Sequence, residues 1–360
     1  MRRRPPPKRV RPSFLYSPWL YVGLGALTLI LYGWPLMHTL TRGAPQAAPA
    51  QVETGIPPSI LTQELDLATV TPIVQRKPML GWLLMWWTIL ILGFSVAGIW
   101  FMVQAVWQGK LANIFRYRPR LRRCWSLREA GRIVVVLAVV VGLLPFAFLS
   151  LISWGWSDLA DPNLRTLVST IIFDGMVVLV VWAFAMVKVP SPAVVLGMTA
   201  GRRTHPFGTA LIGYVALFPW VGGLLWLIAR TCQRLGIEPP IEPIHQLLFL
   251  DTRTWVLALT VFLACVAGPV VEELFFRGIL FAAVRRHTSR VVAMLVSGSL
   301  FAAMHSNVLG FLPILILGCL LADLYERTGS LFAPMMVHVL HNTLLIGLGL
   351  TMKAILLEVG

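Results

Sequence analysis

Three short strings in the last quarter of the chain set ionisable side chains inside apolar sequence. They are GPVVEELFFRG with Glu272, Glu273 and Arg277, FAAMH with Phe301 and His305, and HVLHN with His338, His341 and Asn342. Carboxylates and imidazoles are the groups that take up and return protons near neutrality, and a carboxylate that activates water is the core of general-base hydrolysis. Helical spacing sorts these residues. Glu273 and Arg277 stand at i and i+4 with the acid N-terminal, the favourable order for an ion pair. Glu272 lies about 100° further round such a helix, so it is the carboxylate left for chemistry. His338 and Asn342 are again i and i+4, as are Phe301 and His305.

The elements that must position these groups are membrane helices. Hydrophobic residues make up 57% of the 360 positions and charged residues only 12%. A soluble domain carries about a quarter charged residues, so too little polar surface is available here to coat a globule. The apolar runs are long enough to cross a hydrocarbon core of about 30 Å. They predict an all-α, polytopic transmembrane bundle of about eight or nine helices, at 19–40, 79–107, 131–154, 166–190, 208–230, 254–284, 291–305, 310–324 and 331–350. The eight-helix count applies if one of the short spans is re-entrant.

The organisation expected is a disordered basic tail at 1–14, N-terminal membrane helices over 15–250 with a Pro/Ala-rich loop at 41–78, and a catalytic membrane region at 251–350. Net charge is +15, much of it in the tail and between Lys110 and Arg128. Both stretches flank apolar runs, as the positive-inside rule and contact with anionic lipid require, and no nucleic-acid partner is needed to explain them. Arg202, Arg203, Arg285, Arg286, Arg290 and Arg327 fall on the same side as the tail. This puts the N-terminus in the cytoplasm, and a bacterial plasma membrane is the expected location.

Depth gives an independent check on the cluster. Glu272 lies 13 residues before Arg285, His305 lies 15 after Arg290, and His338 and Asn342 lie 11 and 15 after Arg327. At 1.5 Å per residue these are depths of roughly 16 to 22 Å from one surface. The four groups are therefore expected in one site. Gly268-Pro269 is expected to break its helix and start a new half-helix, with Glu272 and Glu273 in the first turn where the dipole favours a carboxylate.

Ordinary structural roles account for other features. A buried Glu–Arg pair can simply hold helices together, and a lone membrane histidine can be a packing donor. Asp174 is left to structure or to pairing with a basic group, and His341 to hydrogen bonding. Cys124, Cys232, Cys265 and Cys319 show no CxxC spacing and read as small buried hydrophobes. Ser126 with Glu129 makes a capping box, and residues 240–250 read as an interfacial segment. Phosphate-loop, dinucleotide and HExxH patterns are absent.

Over these strings the sequence resembles the CPBP intramembrane proteases, the CAAX protease and bacteriocin-processing (Abi) family. That family's pattern is EExxxR, FxxxH and HxxxN or HxxxD on successive membrane helices. Here the pattern is met by Glu272, Glu273 and Arg277, by Phe301 and His305, and by His338 and Asn342. The resemblance covers about residues 254–350. It implies an intramembrane endopeptidase in which Glu272 is the general base and His305 holds or activates the water. His338 and Asn342 would stabilise the oxyanion or orient the water, with Glu273 and Arg277 in support. It implies a peptide or lipid-anchored protein as substrate and membrane lipid as surroundings. A catalytic zinc held by His305, His338 and Glu272 and a metal-free glutamate mechanism both remain open. A noncatalytic scaffold or immunity protein is the alternative. A proton-coupled carrier is disfavoured, since no second copy of the motif marks an internal repeat.

Overall fold

The structure is a computed structural model that describes residues 15, 17–42, 67–109, 124–188, 191–198, 206–237, 246–305 and 307–358. The expected tail and most of the 41–78 loop lie outside them. Among the described residues the regular structure is helical, without strands. In chain order the helices are α1 (Pro18–Arg42), α2 (Leu67–Arg76), α3 (Pro78–Trp107), α4 (Leu127–Ser153), α5 (Pro162–Met186), α6 (Pro192–Val195) and α7 (Pro206–Leu235). They continue with α8 (Thr254–Arg285), α9 (Arg290–Met304), α10 (Phe311–Thr328) and α11 (Phe332–Leu356). Each predicted span has its helix, and six are long and apolar enough to cross a membrane. The chain is a multi-pass integral membrane protein. One expectation is corrected: the end of the 41–78 stretch is not loop, because α2 is helical and buries Ile73.

Two compact units share the chain. The first contains α1, α4, α5, α6 and the part of α8 from Val271 onward. In it α4 packs along α1 and α5 and buries Ile133, Leu137 and Phe148, while α5 buries Leu167, Val181 and Phe184. The predicted capping box is present: the Ser126 hydroxyl accepts from the Glu129 N–H, and the Glu129 carboxylate accepts from the Ser126 N–H at 2.9 Å. Glu129 also pairs with Lys188 at 2.8 Å, and that ammonium donates to the Cys124 carbonyl and lies over the Trp125 ring. The start of α4 is thereby tied to the end of α5, as two antiparallel spans joined across one membrane face require.

The second unit contains α2, α3, α7, α8 up to Val270, and α9 through α11 apart from Arg290. Its core gathers Trp87, Ala210, Tyr214, Leu317, Leu321, Leu324, Ala333, Val337 and Leu344. Gly98 allows α3 to approach α7 closely, since a Cβ there would run into the Val215 carbonyl and the Pro219 ring. Trp87 Nε1 donates to Thr351 Oγ1 at 3.0 Å, fixing α3 against α11. Lys77 pairs with Glu358, and Lys353 donates to the Leu248 carbonyl. These ends are ones the alternation of spans assigns to a common face.

Candidate active site

In the first unit, α8 carries the paired glutamates. Glu273 and Arg277 form the predicted i, i+4 ion pair, 2.7 Å apart with both side chains fully buried. Taking two charges out of water costs several kcal/mol each, and the pair persists only because each answers the other. Glu272 is only partly buried. Asp174 of α5 lies in electrostatic range of Glu272. Of the two roles left to Asp174, structure or pairing with a basic group, no basic partner is seen among the described residues, and its Oδ2 is buried without a hydrogen-bond partner among them.

The expected break at Pro269 is also corrected. Helix α8 continues from Thr254 to Arg285, with π-helical turns at Leu263–Ala267 and Phe276–Phe281. The glutamates occupy the α-helical stretch Gly268–Phe275 between them. A π turn adds one residue to the turn and so shifts the hydrogen-bond register, which lets the chain carry a proline without ending the helix. Glu272 and Glu273 are therefore mid-helix, and the first-turn dipole does not act on them.

In the second unit, α9 ends at Met304 and His305 follows as a turn residue. Its Nδ1 lies 2.9 Å from the Phe301 carbonyl. A carbonyl can only accept, so Nδ1 carries the proton and Nε2 keeps a lone pair for a water or substrate proton. The Phe301 ring stands edge-on to His305 at 4.8 Å and to buried His338 of α11 at 5.5 Å. The phenylalanine of the FxxxH string thus acts as a wedge setting two imidazoles, a role its spacing alone did not disclose. Asn342 Nδ2 donates to the Ala264 carbonyl of α8 at 2.9 Å. His341 meets the Tyr214 hydroxyl through Nδ1 at 3.1 Å, so it has the hydrogen-bonding role expected of it. Both line a mostly apolar cavity of about 480 Å³ with Trp87, Leu90, Phe218 and Leu317. Nothing in the sequence had singled out Tyr214.

Among the described residues, no three His, Cys, Asp or Glu side chains are grouped so as to hold a metal. The four cysteines form no disulfide.

Residues 254–344 match the family described as type II CAAX prenyl endopeptidase Rce1-like. Over this stretch the chain is similar to that family. The match begins with α8 and ends in α11, so the matched stretch contains all seven motif residues from Glu272 to Asn342. Neither the curated proteins nor the solved structures gave a match to the chain.

Proposed function

We propose that the chain is an intramembrane endopeptidase that hydrolyses a peptide bond in a membrane-associated or lipid-anchored substrate, with Glu272 as general base. The observation that carries this reading is the inequality of the two glutamates. Glu273 is committed to Arg277 in a fully buried pair, whereas Glu272 retains exposure. A base must be able to reach water, and the fully buried Glu273 cannot. His305 supports the same chemistry, because its proton is placed on Nδ1 and its Nε2 can accept from the attacking water.

In the proposed reaction Glu272 takes a proton from water as its oxygen attacks the scissile carbonyl. The tetrahedral oxyanion is met by donors from the His338 and Asn342 face of α11. Glu272 then returns the proton to the departing amine, and the bond breaks. The union of Glu272 with His305, His338 and Asn342 in one site rests on their motif order and matched depth in the sequence. His305, His338 and Glu272 are the residues that would hold a zinc, which would supply an activated water there, and a metal-free glutamate mechanism is the other form of the same reading. The basic tail is assigned to the cytoplasm.

Purified chain in liposomes, offered fluorescence-quenched peptides with and without a lipid group, tests the reading. Cleavage by wild type that falls by about 10²- to 10⁴-fold in His305→Ala and Glu272→Ala is the expected result, the span general-base catalysis contributes. Variants that cut as fast as wild type overturn it. Elemental analysis of the same samples separates the two mechanisms: zinc bound by wild type and lost in His305→Ala and His338→Ala decides for the metal, and its absence from active wild type decides for the glutamate alone.

A further inference from the structure

The bond from Asn342 to Ala264 has a cause in the backbone of α8. At the first π turn the Gly268 N–H donates to the Leu263 carbonyl, five residues back. In that register the next donor, at residue 269, should serve the carbonyl of residue 264. Residue 269 is a buried proline and has no N–H. The Ala264 carbonyl is therefore the acceptor that the proline deprives of its partner. An unmet carbonyl in an apolar setting costs about 1–3 kcal/mol. The Asn342 amide supplies the missing donor at 2.9 Å. The orientation of the amide follows, since only its nitrogen can face a carbonyl.

Helix α8 resumes its α register at Gly268, four residues before Glu272. A shift between π and α registers turns every later side chain of the helix by about 100°. Whatever holds the π turn therefore holds the direction of Glu272. We infer that Asn342 is a positioning residue: it braces the Pro269 gap from α11 and so fixes the rotation of the glutamate-bearing stretch. The bracing stands on the hydrogen-bond geometry alone, and the consequence for catalysis rests on the peptidase reading.

A double-mutant cycle separates this role from direct contact with substrate. Asn342→Ala is made in the native chain and in a Pro269→Ala chain, which restores an N–H at the gap. In the native chain Asn342→Ala is expected to lower the melting temperature and to cut kcat by about 10- to 100-fold at unchanged KM, as misplacement of a reacting group does. In the Pro269→Ala chain the further loss of melting temperature from Asn342→Ala shrinks towards none and the further loss of kcat shrinks to the part owed to its contact with the oxyanion, the signature of coupled residues. Equal losses in both backgrounds overturn the inference and leave Asn342 as a donor to the reaction alone. A chain without peptidase activity defeats the functional reading, and the melting cycle then judges the brace by itself. If Pro269→Ala does not fold, hydrogen exchange over residues 264–275 decides: faster exchange in Asn342→Ala supports the brace, and unchanged exchange overturns it.

Discussion

Single residues in this region differ more in duty than their types suggest. Two adjacent glutamates share one helix, yet one is sealed in an ion pair and the other meets its surroundings. That inequality was legible in the sequence, because i, i+4 geometry with an acid N-terminal to a base has one outcome on a helix. The duty of Phe301 was not legible, since its contact with His338 joins helices that spacing cannot relate. Arg277→Met tests the pair. It leaves the Glu273 carboxylate without its buried cation, a change that costs about 3–5 kcal/mol. A marked drop in thermal stability is expected, read by a melting assay in detergent, with Glu273→Gln in the same chain recovering part of it.

Elements explain where sequence reading stopped short. Apolar length and flanking charge located every span, because the bilayer imposes both. Pro269 was read as a helix break, since proline removes a backbone donor. The answer to that loss lies in a π turn together with a side chain 78 residues away, and neither leaves a local mark. The Pro/Ala-rich composition of 41–78 predicts loop throughout, but α2 is helical at its end and gains its burial by packing on α3. Close helix approach supplies a prediction at this scale. Gly98→Leu must displace the Val215 carbonyl or the Pro219 ring of α7. Overpacking of this kind costs about 1–3 kcal/mol. The variant should melt lower than wild type while Gly93→Leu, which meets open space, should not.

At the scale of the whole molecule the chain is a multi-pass membrane protein whose stretch similar to CAAX prenyl endopeptidases lies within its last third. Its charge distribution predicts an N-terminal tail in the cytoplasm and the 41–78 segment on the far side. A cysteine introduced by Ser13→Cys should react with an impermeant thiol reagent only in inside-out vesicles. One introduced by Ser59→Cys should react only in right-side-out vesicles, and the reverse pattern inverts the topology. The central claim concerns one carboxylate, and the most direct measurement is the turnover of Glu272→Gln in a preparation that melts like wild type. The predicted result is a loss of about 10²-fold or more against wild-type cleavage of the same peptide. Turnover equal to wild type would contradict the assignment of Glu272 as the base.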